Sequence, residues 1–265
     1  MTEQNPSAGP SANRIVIVMP TYNERQNLES IAGRVRAALP TADLLVVDDN
    51  SPDGTASLVT SHREFGRRLH LLSRPGKDGL GAAYRAGFSW ALAGSYDAIV
   101  QMDADLSHPP ERVPALLAAL EHADVAIGSR YVRGGGVRNW PLRRRAISRG
   151  GNLYVRLVLG IPVHDATAGF KAFRRHALES IGAVQSESNG YCFQIENTWR
   201  ASRLGLRIAE VPITFTDRTL GTSKMTSDIV CEALLRVLTW RWRELAHRPV
   251  PTPSQPRGGR RDVAA

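Results

Sequence analysis

The chain has 265 residues, 42% of them apolar and 22% charged. That composition suits one sizeable α/β domain with a real core, or two small ones, and argues against global disorder. A formal charge of +9 fits an anionic partner, and nucleic acid, phospholipid headgroups and sugar phosphates all satisfy it. Cys192 and Cys231 have no metal-ligand or redox spacing, so they read as reduced, partly buried thiols of a cytosolic protein.

Residues 1–13 are polar, rich in Pro and Ser, and read as a disordered arm without the apolar core of a secretory leader. Arg14 to Met19 is a short β-branched run that predicts a buried parallel strand. A helix is expected from Asn23 and Glu24 to about Leu39, closed by Pro40. Asp43 to Val47 and Leu69 to Leu72 predict two more strands, with a helix from Thr55 to about Phe65 between them. A small-residue helix over Gly81 to Ala93 precedes a fourth strand, Ala98 to Met102. Pro110 to His122 predicts a helix with Pro near its start, and Asp124 to Ile127 another strand. Such alternation builds an open, mostly parallel sheet with helices on both faces. Residues 247–265 are rich in Pro, Arg and Gly and read as a disordered basic tail, leaving 14–246 as a single domain. No run of about 18 apolar residues occurs, so no spanning helix is expected.

The polar motifs fall at the carboxyl ends of the strands, where ligands bind in such sheets. Pro20-Thr-Tyr22-Asn-Glu24 follows the first strand. It suits either a loop holding a base or ribose through Tyr22 and Glu24, or a plain turn capped by Asn23. Asp48 to Thr55 follows the second strand; Ser51 to Gly54 suit a turn, while Asp49 is free to face a ligand. Asp103-Ala104-Asp105, after the fourth strand, makes a hard, oxygen-rich site for Mg²⁺ or Mn²⁺ bridging to a diphosphate. The bland alternative is a solvated acidic turn. Gly79 to Tyr84 begins like a dinucleotide fingerprint, but it follows the third strand and Tyr84 replaces the last Gly. Its small residues suit close helix packing, and Lys77 upstream is in reach of a donor.

This ordered series, with Gly128-Ser-Arg130-Tyr131, Asp165 to Lys171 and Arg218 to Lys224, resembles the family 2 glycosyltransferases of the GT-A fold. More narrowly, it is similar to dolichol- or polyprenol-phosphate mannose synthases of the actinobacterial type without membrane spans. The resemblance runs from about Ile15 to Trp242. It implies transfer of mannose from GDP-mannose to a polyprenyl phosphate, with Mg²⁺ or Mn²⁺. It also implies that Pro20, Tyr22, Glu24, Val47 and Asp49 contact the guanosine. Asp103, Ala104 and Asp105 would hold metal and diphosphate, with Ser107 standing where relatives often have a metal-assisting Gln. Arg130, Lys171, Arg218 and Lys224 would face donor or acceptor phosphates, and Arg144 and Ser148 the lipid phosphate, in a register that Arg143 and Arg145 leave open.

A lipid phosphate is already ionised, so the implied displacement needs no strong general base and inverts the anomeric centre. The Arg218 to Lys224 segment reads as a lid or as an ordinary basic loop. Arg149 to Val163 and Asp228 to Leu245, the latter carrying Trp240 and Trp242, suit either the inner face of the plasma membrane or packing on the core. Some relatives are fused to or paired with an integral-membrane apolipoprotein N-acyltransferase, which is the implied partner. The competing readings are a UDP-glucose-dependent transferase, a nucleotidyltransferase, and a basic nucleic-acid-binding module. The acids clustered at strand ends oppose the last, so no nucleic-acid partner is expected.

Overall fold

The computed structural model describes residues 14–186, 188–217 and 227–246, with side chains of 227–232 excepted. The expected arm and tail, and with them Arg218 and Lys224, lie outside the described residues.

The elements run β1 (Ile15–Thr21), α1 (Arg25–Ala38), β2 (Asp43–Asp48), α2 (Thr55–Thr60), β3 (Leu69–Ser73), α3 (Leu80–Ala93) and β4 (Ala98–Gln101). A 3₁₀ turn then leads into α4 (Val113–Ala119), followed by β5 (Val125–Ser129), β6 (Gly136–Arg138) and α5 (Leu142–Leu159). The remainder is β7 (Lys171–Arg174), α6 (Arg175–Ser180), α7 (Gly190–Arg203), β8 (Ile208–Pro212), β9 (Thr214–Thr216) and α8 (Ser227–Ala246). The seven-stranded sheet has the order β3-β2-β1-β4-β7-β5-β8, and β6 pairs with β9 in a small ribbon. β7 runs antiparallel to β4 and β5, and the other pairs are parallel. The expected open, mostly parallel sheet is therefore present.

Period-two alternation splits the core between the two faces. Val16 and Val18 of β1 pack with Tyr84, Phe88 and Ala91 of α3 and with Phe193 of α7. Ile17 and Met19 turn the other way, onto Leu28, Ile31 and Val35 of α1 and Leu116 of α4. Helices thus cover both faces. The small residues of α3 do allow close packing: a Cβ on Gly87 would sit 2.3 Å from Val18 Cγ1 and 3.0 Å from Val47 Cγ2.

Two predicted helices are shorter than expected. The one read to about Phe65 ends at Thr60, because the chain turns at Gly66 (φ +75°) and Phe65 already bridges to Leu69. The one read over Pro110 to His122 opens as a 3₁₀ turn and becomes α-helical from Val113 to Ala119.

Chain order along the sheet reverses between β1 and β4. In a sheet of this kind the crevice at that switch point is where ligands bind. The loops after β1 and β4 flank it.

Candidate active site

The loops after β1 and β2 are stitched into one unit. Asp48 accepts from Thr21 Oγ1 (2.9 Å) and from the Ser51 hydroxyl (2.6 Å) and backbone N–H (2.9 Å). The N–H of Asn23 donates to Ser51 Oγ at 3.0 Å, and that of Arg25 to Asp53 Oδ2 at 3.0 Å. Asp48 is thereby committed to holding the loops. Its neighbour Asp49 pairs instead with Arg74 Nη1 at 2.5 Å. Burial raises the Asp49 carboxyl above its ordinary range, and Arg74 offsets only part of that.

Glu24, not Asn23, stands at the N-cap of α1, because Asn23 adopts a left-handed backbone (φ +61°). The Glu24 carboxylate accepts from Asn27 Nδ2 at 2.8 Å. Lys77 Nζ lies 4.0 Å from the centre of the Tyr22 ring, so these two sequence-predicted residues meet. Pro20 is half-buried at the strand end, whereas the Val47 side chain is wholly buried under α3 and leaves any ligand contact there to its backbone.

The loop after β4 holds the paired acids. Leu106 takes φ +63°, a left-handed conformation that costs a non-glycine residue about 1 kcal/mol or more and is found where a loop is over-determined. Asp103 Oδ1 accepts from the Tyr84 hydroxyl at 2.6 Å. The Asp103 N–H donates to His108 Nδ1 at 3.0 Å, which leaves the proton of a neutral His108 on Nε2. His108 stacks on Phe170 at 5.2 Å. Asp105 Oδ1 accepts from both the N–H (3.1 Å) and the hydroxyl (2.5 Å) of Ser107. Ala104 is buried between the acids. Burial, then the charge of Asp103, push the Tyr84 phenol well above its usual pKa, so it stays a donor.

Two carboxylates and a hydroxyl within one turn form a hard oxygen donor set. Among the described residues no group of three or more His, Cys, Asp or Glu gathers to cage an ion. The set fits Mg²⁺ or Mn²⁺ completing its shell with diphosphate oxygens and water.

A basic wall lies beyond. Arg130 grips Asp165 through Nε to Oδ2 (2.7 Å) and Nη2 to Oδ1 (2.6 Å), and also donates to Thr167 Oγ1 at 2.8 Å. Burial acts to lower the Arg130 guanidinium pKa, but the Asp165 carboxylate outweighs it and raises it. Arg144 pairs with Asp217 at 2.7 Å over the Trp140 ring, and Ser148 Oγ accepts from the Tyr131 hydroxyl at 2.6 Å. Two cavities open here, on the α5 side rather than over the paired acids. One of about 320 Å³ touches Arg130, Tyr131, Arg149 and Arg156. The other, about 530 Å³, touches Tyr131, Leu142, Arg145 and Arg149.

One expectation is corrected by this geometry. Lys171 does not face the crevice with its ammonium. It is fully buried, and Nζ donates to Gln194 O and Thr198 Oγ1, each at 2.8 Å. It stands opposite Gln101 of β4 in the sheet, and its ammonium ends on α7. Burial lowers its pKa to about 7 despite Asp165.

Over residues 16–182 the sequence matches the family described as glycosyl transferase family 2. The chain belongs to glycosyl transferase family 2. A polyprenol monophosphomannose synthase of Mycolicibacterium smegmatis is 50% identical over 239 residues, 89% of this chain and 90% of that protein. An undecaprenyl-phosphate mannosyltransferase of Micrococcus luteus is 49% identical over 239 residues, 89% of this chain and 98% of that protein. Among solved structures, glucosyl-3-phosphoglycerate synthase of Mycobacterium tuberculosis, in complex with Mn²⁺, UDP-glucose and phosphoglyceric acid, superposes with a TM-score of 0.63. That match has 22% identity and covers 87% of this chain and 80% of the other. The protein is thus a glycosyltransferase of the GT-A fold.

Within this glycosyltransferase, several residues touching the predicted site escaped the sequence reading. Arg74 and Tyr84 partner Asp49 and Asp103 from other segments, and nothing in the local sequence marks them. His108 and Asp165 stood inside quoted motifs, D-A-D-L-S-H and D-A-T-A-G-F-K, but had no role assigned.

Proposed function

We propose that this glycosyltransferase is a polyprenol monophosphomannose synthase. It moves mannose from GDP-mannose to a polyprenyl phosphate with inversion, giving β-mannosyl phosphopolyprenol and GDP. The observation that carries this reading is the near-50% identity with two such mannosyltransferases along almost the full length of each. The stitched β1 and β2 loops support it, with the paired acids of the β4 loop across the same switch point, because these strand ends gather the motifs around one crevice.

Each residue then has a task. Tyr22, Lys77, Glu24 and Asp49, with Pro20 and the Val47 backbone, hold the guanosine end. Asp103 and Asp105, with Ala104 between them and Ser107 beside them, hold a divalent cation and the diphosphate. The cation, when bound, offsets the charge that builds on the leaving GDP. Tyr84 and Ser107 keep the two carboxylates oriented, so little reorganisation is needed during reaction. Arg130, fixed by Asp165, presents a permanent charge beside the first cavity. Arg144, Ser148 and Tyr131, with Arg145 and Arg149 on the cavity walls, receive the lipid phosphate. Arg218 and Lys224, outside the described residues, are assigned to the donor or acceptor phosphates by the resemblance alone. Because the acceptor oxygen is already ionised, positioning and charge stabilisation do the work that a base would do for a hydroxyl acceptor.

No described helix is long and apolar enough to cross a membrane. α5 exposes Leu142, Leu153 and Leu157, and α8 exposes Leu235, Leu238 and Trp242. Tyr154 of α5 donates to the Leu234 carbonyl of α8 at 3.0 Å, which joins the two helices. With the intervening arginines, this face suits the inner leaflet, directly or beside an integral-membrane apolipoprotein N-acyltransferase.

The test is transfer from radiolabelled GDP-mannose and UDP-glucose to polyprenyl phosphate, with Mg²⁺, Mn²⁺ or EDTA. Label entering lipid from GDP-mannose in a metal-dependent way is the expected result. Label from UDP-glucose alone overturns the donor, and no lipid product from either overturns the acceptor.

A further inference from the structure

A polar side chain beside the paired acids is left without a protein partner. Gln194 of α7 is only 3% exposed, yet neither Oε1 nor Nε2 has a hydrogen-bond partner among the described residues. Burying an amide in that condition is costly, so a native structure that keeps it calls for an explanation. Its backbone is not slack: the Gln194 carbonyl accepts from Lys171 Nζ (2.8 Å) and Thr198 Oγ1 (2.9 Å).

Gly169 shows where the amide points. A Cβ there would lie 3.7 Å from Gln194 Nε2, 3.7 Å from Asp103 Oδ2 and 3.4 Å from His108 Cε1. The missing side chain therefore leaves a gap bounded by the amide, the first acid of the pair and the His108 ring.

The sheet order gives the gap its place along a donor. The guanosine residues proposed above sit at the ends of β2 and β1, and the diphosphate residues at the end of β4. Gly169 leads into β7, the next strand in the sheet. A nucleoside diphosphate sugar laid across these ends in that order brings its sugar to Gly169. A neutral amide offers one acceptor and two donors, which matches a hydroxyl that both gives and takes a hydrogen bond. The Asp103 carboxylate on the same gap disfavours an anion there.

We propose that Gln194 reads a hydroxyl of the transferred sugar in the gap left by Gly169, and so helps set donor-sugar specificity. This rests on the donor reading given under Proposed function.

The experiment compares GDP-mannose with its 2-, 3-, 4- and 6-deoxy analogues on wild type, Gln194→Met and Gly169→Ala, and measures GDP affinity by calorimetry. Wild type is expected to disfavour one analogue by roughly 100-fold or more in kcat/KM. Gln194→Met should lose about the same factor with GDP-mannose, lose its discrimination against that one analogue, and bind GDP within about twofold of wild type. Gly169→Ala makes only ordinary van der Waals contacts and needs no unusual backbone, so it keeps the fold while filling the gap. It should reproduce the selective loss even if Gln194→Met does not fold.

Equal slowing on every donor, or an unchanged analogue profile in Gly169→Ala, overturns the proposal and makes Gln194 a structural amide satisfied by buried water. A wild type that binds GDP but transfers no mannose overturns the proposed function itself, and this inference with it.

Discussion

Arg130 and Asp165 form a two-point ion pair in the interior, with Asp165 wholly buried and its Oδ2 also accepting the Arg130 backbone N–H at 2.9 Å. Removing one partner strands the other charge away from water. Asp165→Asn should therefore cost about 3–5 kcal/mol of stability in chemical denaturation. Replacing both at once, Arg130→Met with Asp165→Leu, should cost less than either single change. That non-additivity is what a desolvated pair predicts and a surface pair does not.

Lys171 gives stability a pH dependence of a definite sign. Its folded pKa of about 7 lies below the unfolded value of ~10.4. Between those values the unfolded chain binds the proton and the folded chain does not, so this group's contribution rises with pH through the window. It is least favourable below pH 7, where folding must bury the charge. The slope approaches about 1.4 kcal/mol per pH unit near the middle of the window. The neutral amine has two N–H groups for its two acceptors, Gln194 O and Thr198 Oγ1. Lys171→Met should flatten the rise in Tm from pH 7 to 9; an unchanged slope would assign it to another group.

The sequence made β1, β2 and β4 legible because strands buried on both faces read as unbroken apolar runs, Ile15 to Met19 and Leu44 to Val47 among them. β7 was not legible. Lys171-Ala-Phe-Arg174 begins and ends in cations, and lysine is by default an exposed residue. Its antiparallel pairing with both neighbours and the burial of Lys171 under α7 are set by tertiary contacts. The same holds for the site. Acids at strand ends announced themselves, whereas Tyr84, which touches Asp103 across a sequence separation of 19 residues, resembled only a failed glycine in a decoy motif. Gln194 carried no signal, because its meaning lies in what fails to surround it.

Gly87 marks how closely α3 lies on the sheet. A methyl there would meet Val18 Cγ1 at 2.3 Å, well inside contact distance, on a strand that cannot retreat from its two neighbours. Gly87→Ala removes backbone freedom from the unfolded chain and improves helix propensity by about 1 kcal/mol. Overpacking of about 1–3 kcal/mol opposes this. The clash should win, giving a net loss in Tm, whereas Gly33→Ala on α1, with open space around it, should raise Tm.

The paired acids should separate activity from stability. Asp105 is held by Ser107 through two hydrogen bonds to one oxygen. Asp105→Asn keeps the shape and removes the charge, so mannosyl transfer should fall by roughly 100-fold or more, with Tm little changed. Ser107→Ala removes only the hydroxyl and should cost about 10-fold, with a higher metal concentration needed for half-maximal rate. Equal losses from both would mean that Ser107 is itself an indispensable ligand.

The two tryptophans of α8 have opposite surroundings and should behave oppositely. Trp240 is 9% exposed and stacks on Trp199 at 5.6 Å, whereas Trp242 is 70% exposed. Trp240→Ala should destabilise the fold by about 3–5 kcal/mol, as loss of a buried tryptophan does. Trp242→Ala should leave Tm within error, because its ring packs against little. If the exposed leucines of α5 and α8 meet a bilayer, Trp242 sits where an indole anchors best, at the headgroup boundary beside Arg241 and Arg243. Trp242→Ala should then reduce co-flotation with anionic vesicles several-fold, with activity on a short, water-soluble polyprenyl phosphate retained. Flotation unchanged by both Trp242→Ala and Leu238→Ser would mean that this face does not bind lipid, leaving a protein partner to bring the enzyme to its acceptor.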